Sequence, residues 1–259
     1  MTLDVAAHLD ALLQASAIEE TWRLHCDAMA TFDFDRLLYG FTRFRSPSSL
    51  GHPDDLLVLS NMDSRYIQTF IRERLFEKAP MVRWASRNTG ACSWRWMQQN
   101  EETMDDGERE VVEFNKAWGV IAGYTISFPE VSTRSRGAIG LVARPGLSQT
   151  AVEECWADHG RVIHLLNTAF HLKATSLPYS PENPLTARQR EVLEWVADGK
   201  GIQDIALILG LTTATVEKHL RLAREVLGVE TTAQAVLKAS QKNQIFVADP
   251  PRDPEVHLG

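Results

Sequence analysis

Apolar positions change their period along the chain. Residues 4–30 recur at helical spacing, with Leu9, Leu12, Leu13, Ile18 and Trp22 as anchors. The stretches "LLYGFTRF" (37–44) and "LLVLSN" (56–61) read as strands joined by a turn rich in Ser, Pro, Gly and Asp. Helical spacing returns over 64–87 and breaks at Pro80. The run "ACSWRWM" (91–97) alternates like a half-buried strand, which places Trp94 and Trp96 on the same side. An acidic helix over 101–118 follows. Then "GYTISF" (123–128) and "GAIGLVA" (137–143) read as a hairpin pair, and a final helix spans 148–172. This order predicts an α+β fold over residues 1–172, an α-β-α sandwich around a five-stranded antiparallel sheet.

A different pattern begins after "LKATSLPYSPENP" (172–184), whose three prolines cannot continue a helix. Residues 173–184 are assigned as a linker. Beyond it no strand pattern survives. Four short helices are expected over 185–246: one capped by Thr186 and closed at Gly199, one closed by Gly210, one capped by Thr212, and "TTAQAVLKASQKN". The second and third have helix-turn-helix spacing, with small Ala206 where they approach and Gly210 in the turn. Residues 247–259 read as a disordered tail.

The third of these helices carries the most specific signal. Lys218, Arg221 and Arg224 fall within an arc of about 120° at 100° per residue, while Val216, Leu220, Ala223 and Leu227 gather on another face. Such a helix fits a major groove, with Thr213 and Thr215 toward bases or phosphates and the cations along the backbone. Glu217 and Glu225 flank the cations, so an ordinary solvated face is the alternative.

Charge sharpens this picture. The chain is acidic overall at −7, yet residues 185–242 sum to +1 against −6 for residues 1–184. Polyanion binding therefore rests on where charge is placed, not on its total. No apolar run reaches the roughly 18 residues of a membrane span. Asp4 and Asp10 stand where a secretory signal carries cations, so the cytoplasm is the expected compartment. Three widely spaced cysteines without CxxC, and histidines without HExxH spacing, give no metal or redox motif. His25–Cys26 and Cys155 with His159 are the only nucleophile–base candidates; no orienting group or oxyanion feature accompanies them, and no enzyme is expected.

The stretch "LTARQREVLEWVADGKGIQDIALILGLTTATVEKHLRLAREVLGV" resembles the C-terminal DNA-binding domain of LuxR-type transcription regulators. The resemblance covers about 60 residues and includes Leu185, Thr186, Arg188, Glu191, Trp195, Gly199, Lys200, Ile205, Ala206, Thr215, Val216 and His219. It implies a homodimer on a palindromic promoter site, contacted by Lys200, Thr212, Thr213, Thr215, Lys218, His219, Arg221 and Arg224. Gln189, Gly201, Val226 and Thr232 depart from the family's usual Glu, Thr or Ser, Lys and Arg. Loss of hydroxyl and basic groups there is expected to weaken phosphate contact and raise salt sensitivity.

Residues 1–172 resemble the autoinducer-binding domain of quorum-sensing regulators, which encloses an acyl-homoserine lactone between sheet and helices. Tyr66, Phe70, Ala79, Pro80 and Trp94 occupy the positions of that family's Trp, Tyr, Asp, Pro and Trp. The spacing matches and the chemistry does not. In the family the Asp accepts from the signal's amide N–H; Ala79 cannot accept, and Phe70 cannot donate. Each lost partner costs about 1–3 kcal/mol, so two losses weaken affinity roughly a thousandfold. The resemblance thus implies a small-molecule effector, no resident cofactor, and a poor site for ordinary acyl-homoserine lactones. Tyr39, Phe41, Tyr66, Phe70, Met81, Trp84, Trp94 and Trp96 are candidates for an aromatic cavity. The alternative is an orphan regulator whose pocket is filled by its own side chains and which is controlled by abundance or a partner protein.

Overall fold

Local capping chemistry sets the first helices. Asp4 accepts a hydrogen bond from the Ala7 N–H at 3.0 Å and starts α1 (Val5–Gln14). The chain then goes extended at Ala15 and Ala17 before α2 (Ile18–Ala30), so the single helix expected over 4–30 is two. The break lets Leu12 of α1 and Thr21, His25, Ala28 and Met29 of α2 all turn inward, which one straight helix could not do.

The computed structural model describes residues 3–46, 49–179 and 184–246. They divide into two units between Thr175 and Ser176. In the first, β1 (Phe34–Thr42) and β2 (Leu57–Ser60) precede α3 (Ser64–Arg72), α4 (Leu75–Lys78) and α5 (Pro80–Arg87). Then come β3 (Gly90–Ser93), α6 (Arg95–Gln99), α7 (Asp106–Ala117), β4 (Gly123–Ser127), β5 (Arg136–Ala143) and α8 (Gln149–Ser176). The sheet order is β2-β1-β5-β4-β3 and every pairing is antiparallel. It is the α-β-α sandwich that the pattern predicts.

Two faces of the sheet bury different layers. Tyr39 of β1 packs edge-on against Phe170 of α8, with ring centroids 5.1 Å apart, and Tyr124 of β4 stacks on Trp156 of α8 at 4.0 Å. On the opposite face the Ser127 hydroxyl donates to the Ala85 carbonyl of α5 at 2.8 Å. Gly123 is required by close approach, because a Cβ there would meet the Leu141 carbonyl at 2.1 Å.

One strand differs from expectation. The strand expected over 91–97 ends at Ser93, and Arg95–Gln99 is helical. Trp94 already has helical backbone angles, although its N–H still donates to the Gly123 carbonyl at 3.1 Å. The Arg95 guanidinium reaches both Glu153 carboxylate oxygens on α8, and that charge-assisted pair draws the chain out of the sheet. Trp94 and Trp96 therefore do not share a strand face.

α8 also outruns its expected end at residue 172 and stops at Ser176, just before Pro178. Leu177 and Tyr179, assigned to the linker, are buried in the second unit: Leu177 accepts from Asn243 Nδ2 at 3.0 Å. Residues 180–183 and the expected tail 247–259 lie outside the described residues.

The second unit is all-helical, with α9 (Ala187–Ala197), α10 (Ile202–Leu209), α11 (Thr213–Leu227) and α12 (Thr232–Gln241). Thr186 and Thr231 each form a capping box, with Gln189 and Gln234 respectively. Gln189, which departs from the family's Glu, completes its box as an uncharged partner. Gly210 and Gly228 close α10 and α11 in the left-handed conformation, with φ of 64° and 63°. Leu193, Ile205, Val216, Leu220, Ala223 and Ala235 meet in one core.

Candidate functional site

The helix α11 presents the face that its sequence implies. Val216, Leu220, Ala223 and Leu227 are buried, and Lys218 and Arg221 are exposed. Lys218, Arg221 and Arg224 share one shallow cleft with Ala214, Glu217 and Thr232. The candidate contacts are not equivalent, however. Thr212 caps α11 by accepting from the Thr215 N–H at 3.2 Å, and the two hydroxyls lie 2.9 Å apart. Thr215 is consequently half-buried and occupied, while Thr213 is exposed at the helix start.

Arg224 is half-buried and donates to the Thr232 hydroxyl of α12 at 3.0 Å. It thus ties two helices together, which sequence spacing alone does not reveal. Thr232 is one of the departures from the family pattern, and its hydroxyl fills that place as an acceptor. Arg221 pairs with Glu225 one turn on at 2.6 Å; both are more than half exposed, a pair worth a few tenths of a kcal/mol and readily exchanged for phosphate. His219 is half-buried, and Lys200 is exposed in the loop before α10.

The first unit holds a cavity of about 170 Å³ between the sheet and helices α3, α5 and α7. Tyr66, Phe70, Ala79, Pro80 and Trp94, far apart in the chain, all line it. Met81 joins them, whereas Trp84 and Trp96 do not. Both of those tryptophans are half-buried and pack on the outside of the same apolar cluster.

Tyr39 and Phe41 touch the cavity only along their strand. Side chains alternate across a sheet, and these two rings point to the α2/α8 layer. Tyr39 bonds through its hydroxyl to His171 Nδ1 at 2.9 Å, and Phe41 lies 5.6 Å from the His171 ring. Their neighbours Leu38, Gly40 and Thr42 face the cavity instead. The aromatic lining is therefore smaller than expected, and strand glycines make its room. A Cβ on Gly40 would meet nothing within 4 Å, and one on Gly140 would meet only Leu38 O and Trp94 Cζ2, both at 3.9 Å.

Besides Thr42 and Ser86, polar groups from Tyr66, Trp94 and Arg136 stand in this largely apolar wall. The Tyr66 hydroxyl donates to Asn115 Oδ1 at 2.9 Å, and burial pushes its pKa up, so it stays a neutral donor. Trp94 Nε1 donates to the Thr125 hydroxyl at 2.9 Å. Arg136, missed by the sequence analysis, enters from β5 at the end paired with Thr42. Its Nη1 reaches the Asn88 carbonyl only at 3.5 Å, and its buried Nε has no hydrogen-bond partner. Leaving such a donor unmet costs about 1–3 kcal/mol. Burial, and then the Arg45 charge, pull its pKa below the ordinary guanidinium value, while Glu130 offsets part of this. The alternation of "RGAIGLVA" could have placed Arg136 on the cavity side, but only once the burial of the opposite face was known.

The cysteines have no such setting. Burial raises Cys26 to about 12 and Cys92 to about 11, which leaves thiols rather than nucleophilic thiolates. The His25 ring beside Cys26 turns into the core, where Nε2 meets Asn167 Oδ1 at 3.0 Å. No helix among the described residues is long and apolar enough to cross a membrane.

The autoinducer binding domain model matches residues 17–174, and the model for bacterial regulatory proteins of the luxR family matches residues 183–239. The transcriptional activator protein AnoR of Acinetobacter nosocomialis is 26% identical, the match covering 89% of this chain and 94% of AnoR. LuxR of Aliivibrio fischeri is 25% identical, over 71% of this chain and 73% of LuxR. In fold, the chain is similar to Escherichia coli SdiA, with a TM-score of 0.53 at 16% identity, covering 94% of this chain and 98% of SdiA. A structure of SdiA in complex with octanoyl-rac-glycerol gives 0.51 at 15% identity, covering 93% and 97%. AnoR and LuxR are both transcriptional activator proteins. With one model spanning more than half the chain and the other covering its cationic helix, the protein belongs to the LuxR family of DNA-binding transcriptional regulators, an autoinducer-binding domain followed by a LuxR-type helix-turn-helix.

Proposed function

We propose that this regulator works in the cytoplasm as a homodimer on a palindromic promoter site, with a small molecule in the N-terminal cavity setting its activity. The cavity carries the reading: about 170 Å³ between largely apolar walls, lined by the family's signature positions. Lys218, Arg221 and Thr213 supply the exposed DNA face, and Lys200 is a further exposed cation. Leu165 and Leu172, both more than half exposed and seven residues apart on α8, offer an apolar stripe for a second copy.

Ordinary acyl-homoserine lactones are poor candidates for the effector. Ala79 leaves the amide N–H without an acceptor, and the described lining residues include no Asp or Glu. SdiA takes octanoyl-rac-glycerol, an ester with an acyl chain and no amide N–H, which is the type of ligand this wall suits better.

One observation favours the ligand-independent alternative, in which abundance or a partner protein sets activity. Tyr66 and Trp94 already spend their donors on Asn115 and Thr125. The deciding experiment selects bound sequences from a randomised duplex pool, then follows DNA affinity of the wild type and Gly40→Val across a panel of acyl esters. Enrichment of a two-fold symmetric sequence, with a ligand response that Gly40→Val removes, is the expected result. An asymmetric site contradicts the dimer, and an unresponsive wild type favours the ligand-independent regulator.

A further inference from the structure

We propose that the cavity binds an amphipathic carboxylic acid, its carboxylate on Arg136 and its apolar body lying along β5 toward Trp94. This rests on the cavity being a small-molecule site and names the class of molecule. Arg136 is the one charged side chain among the described lining residues. An apolar pocket that keeps a guanidinium, and has lost the carboxylate its family places at Ala79, has exchanged an acceptor for a donor.

The donor is free to act. Nε is shut off from solvent and unpaired, and Nη2 has no hydrogen bond among the described residues. Together Nε and Nη2 form the edge that grips a carboxylate in two parallel bonds. The nearby charges leave the vacancy unfilled. Arg45 adds a second positive charge close by, and Glu130 is turned to the other face of the sheet, 3.1 Å from His171 Nε2.

The geometry also sets the body of the ligand. Trp94 covers Gly140, four residues from Arg136 on β5, which is about 13 Å at roughly 3.3 Å per residue. Between the two ends Ala138, Gly140 and Gly40 leave a trough for an apolar chain, with Leu38, Val58 and Thr125 lining it beside them.

The test compares sodium decanoate with methyl decanoate on the full-length protein, by calorimetry and by tryptophan fluorescence. Wild type is expected to bind the acid about tenfold or more tightly than the ester, the worth of a charge-assisted pair. Arg136→Met should erase that preference while still binding the ester and DNA, which also reports that it folds. Arg136→Lys, keeping charge but not the fork, should retain only part of it. Equal binding of acid and ester by wild type, or a preference that survives in Arg136→Met, overturns the proposal. Ester binding that Gly40→Val abolishes, without acid binding, overturns it and leaves the cavity standing. No binding of either compound by wild type overturns both.

Discussion

The cationic helix α11 and the cavity are built on opposite principles. In α11 the functional face is set by residues within 15 positions of one another, and one period of 3.6 sorts buried from exposed. The cavity draws on β1, β5, α3, α5 and Trp94, so its lining depends on which way each strand faces. Local order is readable one residue at a time. A cavity exists only once distant elements have chosen their faces, and a shift of one position in a strand reverses its whole contribution.

The largest test of that contrast separates the two units. Leu193 is fully buried in the helical core, and Leu193→Ala should cost about 2–5 kcal/mol there. Thermal melts of the full-length variant are expected to show the second unit unfolding earlier, DNA binding lost, and the melting of the first unit unmoved. A single transition shifting as a whole would mean that the units do not fold separately.

A smaller effect tests how the α11 cations divide. Lys218→Ala should weaken DNA binding by about tenfold and lower the salt-dependence slope by about 0.9, the loss of one phosphate contact. Arg224→Ala should instead lower the stability of the second unit, because its bond to Thr232 is internal. Equal salt slopes for the two variants would erase that distinction.

The smallest effect lies in the sandwich and is read through pH. Burial, above all, drives the His25 pKa down to about 3. Asn167 Nδ2 donates to the Ile163 carbonyl, so its Oδ1 accepts from His25 Nε2, and Nδ1 is left buried without a partner for a second proton. The folded state therefore excludes a proton that the unfolded chain binds near pH 6.5. Stability is fully present above that value and falls as pH drops toward 3, by about 1 kcal/mol between pH 7 and 5.5. Urea unfolding at the two pH values, in wild type and His25→Gln, measures this; an undiminished difference in the variant assigns it to other groups.

The sequence carried the outline of both regions but not their details. The four C-terminal helices are legible because Thr186, Thr212, Gly210 and the apolar spacing all act locally. The signature positions of the cavity are legible by spacing, since Tyr66, Phe70, Ala79, Pro80 and Trp94 do converge. Tyr39 and Phe41 do line the cavity, though their rings turn to the other face, because aromatic character says nothing of direction; Trp84 and Trp96 lie outside it. Arg136 escaped notice for the converse reason: a strand-end arginine looks like surface until the opposite face proves full.

Ala79 stands at the position of the family's carboxylate acceptor, and we propose that an amide-bearing signal binds poorly for want of that carboxylate. Ala79 precedes α5 with extended backbone and no side-chain cap, so Asp at this position suits the helix start. Thermal melts of wild type and Ala79→Asp against a chain-length series of acyl-homoserine lactones measure the claim directly. A flat wild type and a gain of about 2.7 kcal/mol for Ala79→Asp, with ligand at about one hundred times its dissociation constant, is the predicted result. A clear, chain-length-dependent shift in the wild type would contradict it.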